Sequence, residues 1–369
     1  MKVLHLTTIK ELRGGDIQMY ELIQNTSENS DVEHYVLTKT DSELYGMMKK
    51  QGINVYSSDC AVNFDIRYSI KIVHLVNRLN IDIIHIHDST ALTLTLVVSN
   101  LLKGKKIIYT RKSNNAIKQK ALNIWKYNHR NIDLYTCVSN AVKDELLKVV
   151  RKKDRIITVY DGINLGNFTN QSSGILRKEY NIPDDYIIIG NISSLSLEKG
   201  LFTFIKTAEY LKNNSEQKFK FVIIGKGPLE RELKNFAHSK NLQDDIIFTG
   251  FRCDVPKLIP EFNIMLITSE IEGLGVATLE AFASEVPAVS TKTGGLQESI
   301  IHNETGLSSE TSDHEGLGKN ILRLLSDNDL RNEIINNAKN ILNQKFNVKM
   351  MADSYIKIYK SLLNKTSNS

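Results

Sequence analysis

Residues 264–281, IMLITSEIEGLGVATLEA, combine a short apolar strand, a loop with two glycines and the start of a helix. An apolar run of this length is typical of a strand that is buried on both faces of a parallel sheet. Gly273 and Gly275 free the backbone at the end of the strand, and the N–H groups that follow them point to where an anion would bind. Glu272 lies in the loop and Glu280 about one and a half turns into the helix. Two carboxylates in these positions could hold hydroxyl groups on different parts of one ligand.

The same alternation of strands and helices continues in both directions along the 369 residues. Strands are predicted in the first half at 3–6, 35–37, 54–56, 83–86, 106–109, 134–138 and 156–159. In the second half they are predicted at 187–190, 220–224, 246–249, 264–268 and 288–290. Helices are predicted between them, for example at 17–24, 69–78, 117–125 and 140–149, and the pattern is wholly helical from 316 to 363. This order predicts βαβ units, parallel sheets and two Rossmann-like domains.

Composition excludes several classes of protein. With 41% hydrophobic and 24% charged residues, the chain is too apolar for a disordered protein. Its longest apolar runs are far shorter than the roughly 18 residues of a spanning helix, and the opening MKVLHLTTIK is typical of a strand rather than a signal peptide. Three scattered cysteines, Cys60, Cys137 and Cys253, argue against a disulfide framework or a zinc site. We therefore predict a cytoplasmic protein.

Positive charge is concentrated in one segment. Residues 101–130 contain nine lysines and arginines and no acidic residue. Within that segment, 116–130 (AIKQKALNIWKYNHR) predicts a basic amphipathic helix that carries the only tryptophan. Such a helix could contact an anionic membrane surface, and residues 103–130 are the candidate for peripheral contact with the inner face of the cytoplasmic membrane. The alternative is that its apolar stripe packs on the domain's own sheet. No nucleic-acid recognition module is present, so no nucleic-acid partner is expected.

Two strand ends in the first half carry further candidates. The loop 7–15 ends in Gly14 and Gly15 before a helix, which suits either the close approach of an anion or a tight turn. Its spacing matches neither the dinucleotide fingerprint nor the P-loop. His87 and Asp88 end another strand, where parallel sheets bind their ligands, and His87 is expected on the same side as His85. A structural histidine in a buried strand is the alternative.

Several segments together resemble glycosyltransferase family 4. The stretch 272–307, EGLGVATLEAFASEVPAVSTKTGGLQESIIHNETGL, is similar to the family signature with its Glu-x7-Glu motif. Other segments match in order, strongly in the second half and diffusely in the first. They are RGGDIQMYEL (13–22), VYDGINLGNF (159–168), GNISSLSLEKG (190–200), FVIIGKGPLERELK (221–234) and FTGFRCDVPKLI (248–259).

The resemblance implies a GT-B fold, in which two Rossmann-like domains face each other across a cleft. It implies an N-terminal acceptor domain at 1–165, a C-terminal nucleotide-sugar donor domain at 166–345, and a C-terminal helix at 346–369 that crosses back to the first domain. The implied activity is retaining transfer of a sugar from a UDP- or GDP-type donor to a saccharide or lipid-linked acceptor, in the assembly of cell-surface polysaccharide such as lipopolysaccharide or capsule. A nucleotide-sugar 2-epimerase on the same architecture and a non-catalytic sugar-binding protein are the alternatives.

No metal and no other cofactor are expected for this activity. The family works without a metal-binding Asp-x-Asp. In this chain the one match, Asp327-Asn328-Asp329, lies in the late helical region, far from any glycine loop.

By the same resemblance, Lys199 neutralises the donor diphosphate, Glu280 accepts hydrogen bonds from the ribose hydroxyls, and Glu272 grips the transferred sugar together with the backbone of the glycine loop. Gly15 approaches the phosphates from the opposite domain. The complete implied donor set is Gly15, Asn191, Lys199, Gly225, Arg252, Glu272, Gly273, Leu274, Gly275, Val276 and Glu280.

Two departures from the family pattern affect the expected charge of the site. Asn191 stands where the family usually has an arginine on the diphosphate, and Arg111-Lys112 stand where many members have a histidine. Our hypothesis is that Arg111 supplies part of the missing charge or binds an anionic acceptor; the alternative is an exposed arginine in a basic run. The expected catalytic residues are Glu272, Lys199, His87 and Arg111. The expected acceptor-binding residues are His87, Asp88, Arg111 and Lys112.

Overall fold

The computed structural model describes residues 1–27, 31–60, 65–168 and 170–364, which form two α/β units. Unit 1 comprises Met1–Gly162 and the chain from Val348 onward, and unit 2 comprises Ile163–Asn347. Sequence alone places these divisions after 165 and 345. The observed ones differ because Ile163 forms a β-bridge with Asn347, which keeps both residues in unit 2. The last five residues of the predicted crossing helix lie outside the described residues.

Unit 1 is built on a parallel sheet of seven strands within the described residues, in the order β3-β2-β1-β4-β5-β6-β7. The strands are β1 (Lys2–Leu6), β2 (Glu33–Lys39), β3 (Asn54–Ser58), β4 (Ile83–Ile86), β5 (Lys106–Arg111), β6 (Leu134–Cys137) and β7 (Ile156–Thr158). The helices are α1 (Gly14–Ser27), α2 (Glu43–Lys50), α3 (Ile66–Leu79), α4 (Ser89–Val98), α5 (Ala121–Tyr127) and α6 (Asn140–Leu147). All seven predicted strands are confirmed. β1 and β4 pair in the middle of the sheet and are buried along almost their whole length, which explains their continuous apolar sequence.

One helix of unit 1 starts later than predicted, and another has a sequence that hides its bounds. The basic helix predicted at 117–125 starts only at Ala121, because the backbone before it makes other bonds: Lys120 N–H donates to the Lys118 carbonyl, and the Asn115 carbonyl accepts from Arg111. Helix α4 lies between β4 and β5, where a helix is predicted without stated bounds. Its sequence STALTLTLVV is apolar on most faces and therefore lacks a clear helical periodicity.

Unit 2 is built on a second parallel sheet, which has six strands among the described residues in the order β10-β9-β8-β11-β12-β13. The strands are β8 (Ile187–Ile192), β9 (Phe219–Ile224), β10 (Ile246–Gly250), β11 (Ile264–Ile267), β12 (Ala288–Thr291) and β13 (Leu307–Ser309). The helices are α7 (Ile175–Glu179), α8 (Leu201–Asn213), α9 (Glu230–Ser239), α10 (Val255–Leu258), α11 (Val276–Ala283), α12 (Leu296–Ser299), α13 (His314–Ser326) and α14 (Asn328–Lys345). Only β13 was missed by the sequence; it is a three-residue edge strand, LSS, too short and polar to be recognised.

The last helix, α15 (Val348–Asn364), returns to unit 1. It places Met351, Tyr355 and Tyr359 in one apolar cluster with Val3 of β1 and Ile83 of β4. The core of unit 1 therefore contains residues from both ends of the chain. None of the helices in the described residues combines the length and the apolar character that a membrane span requires.

Candidate functional site

In unit 2 the candidate residues meet at the carboxyl ends of β8 and β11. The loop after β11 is joined to the turn at Glu198–Lys199 by hydrogen bonds: Glu270 N–H donates to the Glu198 carbonyl over 2.8 Å, and Thr268 Oγ1 donates to the Lys199 carbonyl over 3.1 Å. Gly200 makes this approach possible. Its φ is +59°, and a Cβ there would lie 2.0 Å from the Thr268 carbonyl oxygen. The two segments thus hold Lys199 against the glycine loop.

Lys199 and Glu272 form an ion pair in this corner of the sheet. The Lys199 Nζ lies 2.7 Å from Glu272 Oε2, and Ser269 Oγ donates to the same oxygen over 3.0 Å. The two charged side chains remain 21% and 15% exposed. The pair therefore offers an oriented cation and an oriented carboxylate to a ligand that approaches from solvent.

The N-terminus of α11 follows directly. Gly275 precedes the helix with a φ of +82° and, as a glycine, has no side chain that could cap this end. The N–H groups of Val276 and Ala277 make no backbone hydrogen bond to a described residue, as is usual for the first helical turn. Oriented N–H groups and the helix dipole both favour an anion at this position. Leu274, which was predicted to bind the donor, is buried between the loop glycines.

Glu280 is the second candidate carboxylate of this region. Burial raises the pKa of Glu280 to about 7, from an ordinary value of 4.5. Its side chain is partly buried and makes no hydrogen bond or ion pair with any residue that the structure describes. A desolvated carboxylate of this kind suits hydroxyl groups supplied by a ligand.

Three other predicted donor contacts have internal partners. Asn191 is only 2% exposed; its Nδ2 donates to the Leu266 carbonyl and its Oδ1 accepts from Ser193 Oγ. Its amide therefore joins the central strands β8 and β11, and it supplies no positive charge where the family usually has an arginine. Arg252 is bound to Glu179 and Asp254, at 2.7 Å and 2.8 Å.

Gly225 is the third predicted donor contact that is fixed within the protein. A Cβ on Gly225 would lie 1.9 Å from the Ser193 carbonyl, and its φ is +144°. The glycine is thus required for packing between strand ends, whatever it contacts in a ligand.

In unit 1, Asp88 ties two strand ends together. Its carboxylate accepts from Thr8 N–H at 2.6 Å and Thr8 Oγ1 at 2.9 Å, and it also caps α4 through the N–H groups of Thr90 and Ala91. With four donors on one carboxylate, Asp88 orders the loop after β1. A direct bond to an acceptor would have to compete with these contacts.

A chain of histidines leads from the sheet interior to His87. Thr26 Oγ1 lies 2.7 Å from His34 Nε2, His34 Nδ1 lies 2.9 Å from His5 Nε2, and His5 Nδ1 lies 2.9 Å from His87 Nε2. Burial lowers the pKa of all three imidazoles, that of His34 to about 4, so they are neutral at pH 7.

Thr26 sets the direction of this chain. Its hydroxyl donates to the Leu22 carbonyl over 2.6 Å, because a carbonyl can only accept, and it must therefore accept from His34 Nε2–H. A neutral imidazole has one donor and one acceptor, so the same order repeats at His5 and at His87. His87 Nδ1 is then the unprotonated nitrogen, and this buried atom has no hydrogen-bond partner within the described residues. The chain thus ends in a lone pair.

His85 forms a separate branch. Its Nδ1 lies 2.8 Å from the hydroxyl of Tyr359 on α15, its Nε2 lies 2.6 Å from Thr110 Oγ1, and its ring is next to that of His87, as strand alternation predicts. The ligand nitrogens of His5, His85 and His87 lie within 4.8 Å of one another, close enough to hold a metal ion. Both nitrogens of His5 and of His85 already have partners in the protein, so coordination would break these bonds. The sequence did not identify His5 and His34; the available signal was histidine inside or beside a predicted buried strand.

Arg111 and Lys112 point to different neighbours. Arg111 is buried, donates to Tyr127 Oη over 3.3 Å and also donates to the Asn115 carbonyl. Lys112 Nζ donates to the Gly15 carbonyl, and a Cβ on Gly15 would lie 2.9 Å from Lys112 Cδ. Burial lowers the pKa of Lys112, an effect opposed by Asp161 and Asp16. Gly15 and Lys112, predicted to bind donor and acceptor respectively, therefore contact each other.

His87, Asp88, Arg111 and Lys112 line one cavity of unit 1, which has a volume of about 470 Å³. We call it the unit-1 cavity. Its charged lining residues are Asp88, Arg111, Lys112, Lys118, Lys120 and Lys126, and its other titratable ones are His87, Tyr109 and Tyr127.

Both units match models of known protein families. Residues 13–167 match the model described as Glycosyltransferase Family 4, and residues 172–341 match the model described as Glycosyl transferases group 1. Among curated relatives, the N-acetyl-alpha-D-glucosaminyl L-malate synthase of Bacillus anthracis is 24% identical over 98% of both chains. The O-antigen biosynthesis glycosyltransferase WclY of Escherichia coli is 21% identical, over 79% of this chain and 80% of that protein.

Solved structures agree with the observed fold. Anabaena HepE in complex with UDP-glucose superposes with a TM-score of 0.87 at 19% identity, covering 98% of this chain and all of that one. Both units here are the Rossmann-like α/β units of the GT-B fold, as the sequence predicted.

Proposed function

The chain belongs to glycosyltransferase family 4, and from this premise we propose that it transfers a sugar from a UDP-sugar, with retention of anomeric configuration and without a metal ion. The choice of UDP over GDP is supported by HepE, whose crystals hold UDP and UDP-glucose. One observation carries the proposal. Lys199, Glu272, Glu280 and the uncapped N-terminus of α11 lie at the carboxyl ends of the central strands of the unit 2 sheet.

The roles in unit 2 follow from the chemistry of diphosphate departure. A leaving diphosphate gains negative charge, which Lys199 and the N–H groups at the start of α11 stabilise. Glu280 accepts hydrogen bonds from the ribose hydroxyls, since it has no donor of its own in the described protein. Glu272 is oriented by Lys199 and Ser269 and holds hydroxyls of the transferred sugar. Without an enzyme nucleophile, the acceptor attacks the face from which the diphosphate leaves, which preserves the configuration.

Unit 1 supplies the acceptor side of the reaction. His87 Nδ1, as the unprotonated end of the histidine chain, accepts a hydrogen bond from the attacking hydroxyl and assists loss of its proton. The acceptor is a saccharide or a lipid-linked saccharide of cell-surface polysaccharide assembly. This assignment is supported by relatives named for O-antigen, capsular polysaccharide and lipopolysaccharide core biosynthesis.

We also propose peripheral contact with an anionic membrane on the cytoplasmic side, through residues 103–130. The side chains of Leu122, Ile124 and Trp125 are exposed instead of packed on the sheet, and they lie within the segment that has nine basic and no acidic residues. The protein is expected to sediment with vesicles of anionic lipid and to stay in the supernatant with vesicles of neutral lipid. Trp125→Ser should weaken this binding, whereas Leu197→Ser, at an exposed leucine of unit 2, should leave it unchanged. Equal sedimentation with both vesicle types would contradict the proposal.

The donor and the reaction are tested together. A thermal-shift panel of UDP, GDP, ADP and TDP should show the largest increase in melting temperature with UDP. Incubation of the enzyme with a UDP-sugar and an extract of lipid-linked saccharides should release UDP and give an α-linked product from an α-linked donor. Formation of an epimer from the donor alone would instead indicate the 2-epimerase alternative. Binding of a free sugar with no release of UDP under any condition would indicate the non-catalytic one.

A further inference from the structure

The unit-1 cavity has a large excess of positive charge. Five cationic side chains line it, from Arg111 to Lys126, against the single carboxylate of Asp88. That carboxylate is already occupied by four hydrogen-bond donors from Thr8, Thr90 and Ala91. It is therefore a poor counter-charge for the lysines and arginine around it.

Two of these cations are buried without an opposite charge. Arg111 is 6% exposed and Lys126 is 7% exposed. Arg111 donates to two neutral oxygens, those of Tyr127 and Asn115, and its Nε is buried with no partner in the described chain. Lys126 donates to Ser89 Oγ over 2.6 Å and lies 4.9 Å from the centre of the Tyr127 ring.

No carboxylate of the described residues forms an ion pair with either side chain. A buried cation with only neutral partners is unfavourable, and stacking on one aromatic ring offsets a part of that cost. Two such cations on the wall of one cavity indicate that the missing counter-charge comes from a ligand.

We propose that the unit-1 cavity binds an anionic group of the acceptor, a phosphate or a carboxylate, with Arg111 and Lys126 as its counter-charges. This rests on the proposed function only in calling the ligand the acceptor. The guanidinium of Arg111 provides paired donors that match the two oxygens of either group, and Lys126 provides a point charge. Lys118 and Lys120 are exposed, and their charge attracts the anion toward the cavity.

The lining of the cavity also indicates which second chemical group the acceptor carries. Its volume of about 470 Å³ suits one small ligand or the end of a larger one. His87 belongs to the same lining, so a molecule held through its anionic group presents a hydroxyl to the unprotonated Nδ1. The expected acceptor thus carries both an anionic group and the hydroxyl that is glycosylated.

The test is calorimetric titration of the full-length protein, first saturated with UDP so that phosphate does not enter the donor site. The probes are inorganic phosphate, succinate and neutral glucose. Phosphate or succinate should bind and glucose should not, and comparison of the two anions identifies which group the cavity accepts. Lys126→Met and Arg111→Gln should each weaken anion binding at least tenfold. Lys126→Arg, which keeps the charge, should retain it even if the neutral variants unfold. Lys50→Met removes an exposed lysine of the same unit outside the cavity and should have no effect.

Three results would overturn the inference: no anion binding to the wild-type protein, equal binding of glucose, or unchanged binding in Lys126→Met and Arg111→Gln. UDP binding, measured in the same samples, separates this inference from the proposed function. A wild-type protein that binds UDP but neither anion contradicts the cavity inference alone. Anion binding that depends on Lys126, in a protein that binds no UDP, contradicts the donor assignment alone.

Discussion

Replacement of Glu280 by glutamine should change how stability depends on pH. Burial raises the pKa of this carboxyl to about 7 in the folded protein, against an ordinary value of 4.5. Between these values the folded state holds a proton that the unfolded chain releases. The wild-type protein therefore loses stability as the pH rises from about 4.5 through about 7. Glutamine has nearly the same shape and no charge, so the variant lacks this loss.

The size of the effect follows from the two pKa values. Each tenfold difference in proton affinity corresponds to about 1.4 kcal/mol, which gives a loss of at most about 3.5 kcal/mol at pH 8. It is an upper bound because part of the Glu280 side chain still contacts solvent. At pH 5 the same calculation gives under about 1 kcal/mol. Glu280→Gln should therefore be more stable than the wild type at pH 8 and nearly equal to it at pH 5.

Urea unfolding followed by circular dichroism at pH 5 and pH 8 measures this difference. Glu216→Gln is the matched control, since Glu216 is an exposed carboxylate of the same unit. The free energy of unfolding of Glu280→Gln relative to the wild type should increase from pH 5 to pH 8, and that of Glu216→Gln should not. The same Glu280 variant should bind UDP about tenfold more weakly, because a neutral amide is a poorer acceptor for ribose hydroxyls than a carboxylate. An identical pH dependence of Glu280→Gln and wild type would refute the burial argument, and unchanged UDP affinity would refute the ribose role.

Three further predictions concern other parts of the two units. Lys199→Met should lower kcat/KM about 100-fold or more and weaken UDP binding, because the cation beside Glu272 is lost. Lys206→Met, on the exposed face of α8, should match the wild type in the same steady-state kinetics. Gly200→Ala should reduce the free energy of unfolding by more than about 2 kcal/mol, since its Cβ would lie 2.0 Å from the Thr268 carbonyl oxygen; Gly46→Ala, with open space around it in α2, should be neutral or stabilising in the same urea titration. Tyr359→Phe should cost about 1–3 kcal/mol in urea unfolding, because it removes the partner of buried His85 Nδ1, and a cost near zero would show that another group satisfies this nitrogen.

The strands were the most predictable part of the fold, for a local reason. A strand buried on both faces needs a continuous apolar run, and such runs at 83–86 and 264–268 can be read directly. The strand β13 was missed, because it is a short edge strand that needs only three residues and one neighbour. The bounds of helix α4 were not given, because it is apolar on most of its faces.

The candidate site divides in the same way. The glycine loop and its two carboxylates were identified from the sequence, because they lie within nine residues of one another directly after a predicted strand. The pairing of Lys199 with Glu272 was not, since 73 residues separate them and only the adjacent strands β8 and β11 bring them within 2.7 Å. The bonds of Asn191 to Leu266 and of Arg252 to Glu179 could not be foreseen for the same reason.

The sequence alone determined the class of fold, the family and the residue types of the candidate donor site, because hydrophobic periodicity and glycine positions act over a few neighbouring residues. Only the tertiary structure decided which side chains share a hydrogen bond or a cavity. The direction of the chain from Thr26 to His87 depends on contacts between three strands and a helix, and the unpaired charges of Arg111 and Lys126 depend on which groups surround them after folding. Charge compensation and hydrogen-bond polarity are properties of neighbours in space, and a single sequence specifies those neighbours only through the folded chain.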